Sequence, residues 1–275
     1  MTEEALASRI EALGLGPFRE EIIESAEACL SVTTSRDESR PCEIGSSKIG
    51  GDPDLPADLE WPRASENSLH FIAQFKLSEL PPIASTSLPS VGMLYFFYDM
   101  NGQHWGFDPE DGEGHRVLYS ECETGLSRRL PPDDIANDDA VLECHLQVAK
   151  SFSLPSDPPS GVSFEGDQAQ WDAYFELTEG SHQLLGLPSE IQNPMELECQ
   201  LASNGLYVGD ASGYQDIRAK ALEEGATDWR LLFQMDSDDD AGIMWGDGGM
   251  IYYWIRKQDL AAKRFEKSWL ILQCY

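Results

Sequence analysis

Gly92-Met93-Leu94-Tyr95-Phe96-Phe97-Tyr98 and Gly249-Met250-Ile251-Tyr252-Tyr253-Trp254 are the two stretches on which the reading of this chain turns. Each is a glycine followed by an unbroken apolar and aromatic run, too short for an ordinary helix, which predicts a central strand. Upstream of each lies a second strand-like segment that carries a glutamine, Ile72-Ala73-Gln74-Phe75 in the first case and Leu232-Phe233-Gln234-Met235 in the second. Further upstream, Gly51-Asp52-Pro53 is answered by Gly186-Leu187-Pro188. Three segments recurring in the same order predict an internal repeat, with copies over about 48–155 and 171–275. The longer path from Gly186 to Gln234 gives the second copy an insertion that holds its helices.

The expected fold class is α+β: duplicated mixed or antiparallel sheet units related by an internal pseudo-repeat, with short N-terminal helices over 1–40 ahead of a domain spanning 41–275. Leu6, Ile10, Leu13, Ile22, Ile23, Ala26 and Leu30 follow helical spacing, broken between Gly14 and Pro17, and predict two short amphipathic helices. Alternation over Leu69–Phe75 predicts a half-buried strand, and Asp111-Gly112 a hairpin between Trp105–Phe107 and Arg116–Tyr119. Apolar residues at even positions from Leu142 to Leu154 predict a long strand with one buried face, followed by a surface linker over 155–170. Helices are expected over 189–203, 214–224 and 259–267, and strands over 229–235, 250–255 and 269–274.

Composition limits the function. Hydrophobic residues at 41% and aromatics at 10% are enough for a core, so the chain should fold. Against 19 Lys and Arg stand 49 Asp and Glu; the formal net charge of −30 repels nucleic acid and anionic membrane, and fits either an acidic face for a basic protein partner or a solubility or salt adaptation spread over the surface with no partner at all. Met1–Leu30 is acidic rather than basic and apolar, and no run has the length of a membrane span, which places the protein in the cytoplasm by expectation. The six cysteines show no CxxC spacing and read as reduced, buried thiols.

At Lys48–Pro53, Leu55-Pro56, Trp61-Pro62, Phe71–Gln74, Gly92–Tyr98, Gly186–Pro188 and most of all Leu231–Asp238, Met244–Gly249 and Tyr252–Ile255, the chain resembles the YwqG-like family, a bacterial domain of unknown function. The resemblance covers about residues 40–275 and implies a fold without a reaction. Toxin neutralisation is an idea attached to some members, and it extends to this chain by analogy alone.

Three constellations compete for a role. Asp236, Asp238, Asp240 and Asp247 occupy positions 1, 3, 5 and 12 of a calcium-loop pattern with Ile243 at the hydrophobic position, so calcium or magnesium is the cofactor this segment suggests. Ala241 stands where that pattern has glycine and the flanks read as strands; the alternative is an acidic hairpin whose aspartates cap turns. Gln74, Gln234 and Trp245 would be polar residues of a groove between the copies, or each glutamine would cap a neighbouring backbone. Cys144 and His145 are adjacent on a strand, point to opposite faces and cannot form a catalytic pair. Without a GxSxG elbow, P-loop or HExxH spacing, the leading expectation is a non-enzymatic module that binds protein through an acidic surface.

Overall fold

The computed structural model describes residues 1–275 apart from Glu66, Ala84, Ser85, Gln103 and 136–139. Its strands are β1 (Glu27–Ser35), β2 (Lys48–Ile49), β3 (Asp54–Leu55), β4 (Arg63–Ala64), β5 (Asn67–Ser68), β6 (His70–Lys76), β7 (Met93–Tyr98), β8 (His115–Ser120), β9 (Ser127–Arg128), β10 (Cys144–Ser153), β11 (Gln183–Leu184), β12 (Trp229–Asp236), β13 (Met250–Arg256) and β14 (Trp269–Gln273). Ten of them form one antiparallel sheet in the order β14-β13-β12-β11-β1-β10-β2-β6-β7-β8. The helices are short: α1 (Glu3–Ala12), α2 (Arg19–Glu24), α3 (Gln168–Thr178), α4 (Glu196–Ala202), α5 (Ala211–Gln215), α6 (Ala219–Leu222) and α7 (Lys257–Ala261).

The two aromatic runs are the central strands of the two flanks. Along β7, Leu94, Phe96 and Tyr98 point into the main core, while Met93, Tyr95 and Phe97 point to a second cluster with Leu55, Leu69 and Phe71. Likewise Ile251, Tyr253 and Ile255 of β13 join the main core, and Met250, Tyr252 and Trp254 meet α4 and its neighbours. Burial on both faces removes the need for polar alternation, which is why these runs are continuous.

All ten strands feed the main core, so the sheet curls until its ends approach. Phe233 of one flank packs edge-on against Phe75 and tilted against Phe96 of the other, at 5.2 and 4.8 Å between ring centres. The Tyr253 hydroxyl donates to the Phe97 carbonyl at 3.2 Å, and Leu272 N–H to the Trp105 carbonyl at 3.0 Å. His115 and the Ser268 carbonyl are 3.0 Å apart, so the last strand of each flank is tied to the other. The sheet is nearly closed, which leaves little exposed edge.

Several expectations are corrected. Helical spacing over 26–30 gives way to β1: Cys29, Leu30 and Val32 are buried in a nine-residue strand, because tertiary pairing with β10 and β11 overrides a weak helical pattern. β6 is buried on both faces rather than half-buried. Asp111-Gly112 lies in a 3-10 turn, Pro109–Glu113, held by an Asp108–Asp111 capping box, and not at a hairpin tip. The expected linker over 155–170 contributes Phe164, which packs with Leu6, Ile10, Tyr174 and Leu177, and leads into α3. Over 189–203 the helix begins only at Glu196.

Phe233 stands where both flanks meet, so truncating it empties the centre of the core. Phe233→Ala is expected to cost about 3–5 kcal/mol, seen as a lower urea midpoint; a midpoint unchanged within error would show that the flanks do not depend on this contact.

Candidate functional site

On the first flank Lys48 is buried among anions. Its ammonium donates to the Asp52 carbonyl and lies 3.3 Å from Glu143 Oε2 and 3.5 Å from Asp54 Oδ2. Arg128 Nε donates to Asp54 Oδ1 at 3.0 Å, and the same guanidinium reaches the Cys42 carbonyl and, at 3.5 Å, Glu143. Two cations and two carboxylates balance, which is what makes their burial tolerable. Burial pushes the Asp54 carboxyl up, but Arg128, the Gly45 N–H, Lys48 and Gln74 together outweigh it and hold it below the usual carboxylate range.

Gln74 fixes the loop that carries Asp54. Its Oε1 accepts from Asp54 N at 2.8 Å, and its Nε2 donates to the Ser46 carbonyl and Asp54 Oδ2 at 2.7 and 2.9 Å. Gly50, at φ +64°, lies so close to the Val141 and Leu142 carbonyls that a Cβ would strike them. The second flank has the same construction in neutral form. Gln234 Oε1 accepts from Ser189 N at 3.0 Å, and its Nε2 donates to the Ser181 carbonyl and Ser189 Oγ at 2.7 and 3.1 Å. The Tyr95 hydroxyl donates to the Asp54 carbonyl, and the Tyr252 hydroxyl to the Ser189 carbonyl. Each glutamine therefore holds its own loop, and Trp245 is buried against Tyr98 with no hydrogen-bond partner for its indole nitrogen among the described residues.

Beside the neutral loop opens a cavity of about 560 Å³, lined by Ser156, Phe175, Glu176, Thr178, Glu179, Gly180, Ser189, Glu190, Ile191, Asp236, Gly248, Met250 and Tyr275. Four of these are acidic, two are aromatic, and no lysine, arginine or histidine is among them. Burial, then Glu196, pushes the Glu190 carboxyl up to about 7, and burial raises Asp236 against the pull of His182. Carboxyls raised in this way are under-compensated for their burial when ionised.

The acidic loop is a hairpin closed by Asp238–Ile243 and Trp245–Gly249 bridges. Asp238 turns inward: Oδ2 accepts from His182 Nε2 at 2.8 Å and from the Thr34 hydroxyl at 2.6 Å, and Oδ1 from the N–H groups of Asp240 and Ala241. His182 Nδ1 accepts from Asp236 N–H, which leaves the donated proton on Nε2. The His182 bond, opposed by burial and helped by Thr34, holds the Asp238 carboxyl far below its usual range. Asp240 and Asp247 stay exposed, and among the described residues no group of three or more His, Cys, Asp or Glu is arranged to hold a metal.

Sequence reasoning missed one pair. Cys42 Sγ lies 3.4 Å from His145 Nδ1, and His145 Nε2 donates to the Arg40 carbonyl, an arrangement of nucleophile, base and orienting group. Burial and the Glu143 carboxylate push the Cys42 thiol up to about 11, so it stays protonated and unreactive at neutral pH. Nothing local in the sequence joins residues so far apart. All six cysteines are free thiols.

A nearly closed antiparallel sheet with a glutamine-braced loop on each flank defines a class of α+β domain rather than an activity. Residues 47–274 match the family described as a domain of unknown function (DUF1963), and the chain belongs to it; the YwqG-like resemblance is to this same family. No curated protein matches the chain. No helix among the described residues is long and apolar enough to cross a membrane.

Glu198 provides a pH test. It is buried, Oε2 has no partner among the described residues, and burial pushes its carboxyl up to about 7. The folded state then binds more protons than the unfolded one between about pH 4.5 and 7, so stability falls as pH rises through that window. Asp54 and Asp238 have the opposite sign: their contribution is complete above the usual carboxylate range and is lost as pH drops through their depressed values. Glu198→Gln is expected to stabilise by about 1–3 kcal/mol at pH 8 and not at pH 4, read from urea midpoints at both; a pH-independent difference would refute the assignment.

Proposed function

We propose that this chain is a duplicated binding module that holds a cationic group of a partner in the acidic cavity on its second flank. The observation that carries this reading is a cavity of about 560 Å³ with four carboxylates, two aromatic rings and no resident cation. Ammonium and guanidinium groups are the ligands such a wall favours, since carboxylates offer charge-assisted hydrogen bonds and ring faces attract cations. A bound cation would also relieve the penalty on ionised Glu190 and Asp236. The net charge of −30 would add long-range attraction for a basic partner. Acetyl-arginine amide is expected to bind weakly, with Glu190→Gln/Asp236→Asn reducing affinity at least tenfold in calorimetric titration. Equal affinity for both proteins, or no binding to either, would exclude the cavity as a cation site.

Duplication is supported by register as well as by bonding. Lys48 faces Gln74 and Gln74 faces Tyr95; Gln183 faces Gln234 and Gln234 faces Tyr252. Each pair of long strands carries a bulge at one place, between Phe71 and Ala73 and between Leu231 and Phe233. On this reading one copy comprises β1, β2, β6, β7 and β8, and the other β10, β11, β12, β13 and β14, a division that differs from the expected 48–155 and 171–275 by adding β1 to the first copy and moving β10 to the second. Their first strands are exchanged, β1 lying against β11 and β10 against β2. Residues 1–130 and 131–275, produced separately, are then expected to fold only when mixed, by circular dichroism; a half that folds alone would argue against exchanged strands.

A further inference from the structure

On the first flank, the place beside the glutamine-braced loop is already filled by the chain's own strap. β9 pairs with β3, joining Arg128 to Asp54 and Ser127 to Leu55. Arg129 N–H donates to the Pro53 carbonyl at 2.9 Å, and Leu126 packs on the cluster of Leu55 and Met93 beside Gly45. The Arg128 guanidinium completes the seat on Asp54.

Counterparts on the second flank follow from the ladder. Gln183 stands where Lys48 stands, opposite the glutamine; Pro188-Ser189 answers Pro53-Asp54, since Ser189 and Asp54 each donate the backbone N–H to the glutamine Oε1 and accept a tyrosine hydroxyl at the carbonyl. Met250 opens β13 as Met93 opens β7. Gly180 precedes Ser181 as Gly45 precedes Ser46, the residues whose carbonyls the two glutamines hold, and Gly180, Ser189 and Met250, the counterparts of Gly45, Asp54 and Met93 beside the strap, all line the cavity. The cavity therefore lies where the first flank has its strap; Ser156 Oγ meets the Glu190 N–H there, and the acidic side chains of the wall are Glu176, Glu179, Glu190 and Asp236.

We propose that the second-flank cavity is a docking groove for an extended segment of a partner protein that carries arginine, seated beside Ser189 and Glu190 as the strap Leu126–Arg129 is seated beside Asp54 and Leu55. Main-chain contact gives an extended peptide its grip, and the arginine supplies charge complementary to the wall. Phe175 and Tyr275, 53% and 85% exposed, line the groove and gain cover from the bound segment. The inference rests on the cation-binding reading above and adds the form of the partner to it.

The test uses the full chain and the peptide acetyl-Ala-Leu-Ser-Arg-Arg-Leu-Ala-amide, beside acetyl-arginine amide and the same peptide with glutamine at both arginine positions. Calorimetry is expected to give the arginine peptide at least tenfold higher affinity than acetyl-arginine amide and than the glutamine peptide. Glu190→Gln/Asp236→Asn should cost it at least tenfold, while Asp240→Asn leaves it unchanged, thermal unfolding confirming that both variants are folded. Should the peptide bind no more tightly than acetyl-arginine amide, while both still depend on Glu190 and Asp236, strap-like docking is refuted and the cation reading stands. Failure of both ligands to bind refutes both readings. Peptide affinity indifferent to the double substitution also overturns the groove, because the peptide would then be displacing the strap or binding elsewhere.

Discussion

The antiparallel ladder between β1 and β10 is the contact on which the rest of the structure depends. It runs from the Glu27–Ser153 pair to the Ser35–His145 pair, and the outer edges of the same two strands take β11 and β2. Remove it and the two flanks become separate sheets, each with a raw edge and half a core. With it in place, the sheet is long enough to curl, and Phe75, Phe96, Phe233 and Tyr253 meet at its centre. The ends then close through His115, Trp105 and Tyr253, whose hydrogen bonds cross from flank to flank.

A common frame supports unlike contents. Gln74 and Gln234 each satisfy a loop N–H and a loop carbonyl in a place closed to water, so each is fixed by backbone needs rather than by a ligand. Around the first, Lys48, Asp54, Arg128 and Glu143 form a balanced group; around the second, Gln183 and Ser189 are neutral and the charge moves outward to Glu190 and Asp236. A balanced set neutralises itself and recruits nothing, while an unbalanced set at a cavity wall favours an incoming cation. The cation-binding proposal grows from that difference in charge.

Other chemically suggestive groups are quieter in place. Cys42 and His145 have the spacing of a nucleophile and its base, yet burial beside Glu143 keeps the thiol protonated. In the acidic hairpin, both Asp238 oxygens are committed to donors of the chain itself, Oδ2 to His182 and Thr34 and Oδ1 to the N–H groups of Asp240 and Ala241. A turn and a metal loop both favour aspartate near their start, so the spacing of the hairpin aspartates fits either one.

By itself the sequence determined the α+β class, the family, the two aromatic central strands with their glutamine-bearing neighbours, and a charge that disfavours nucleic acid. These are local properties: strand character follows from continuous apolar runs, and charge from counting. It could not show that Glu27–Ser35 is a strand, since that segment becomes one only by pairing with residues more than a hundred positions away. Nor could it join Arg128 to Asp54, Cys42 to His145, or Glu190 to Asp236 at one cavity wall. Tertiary structure alone decided those, because register across a curled sheet is set by the summed burial of both flanks and leaves no trace in local spacing.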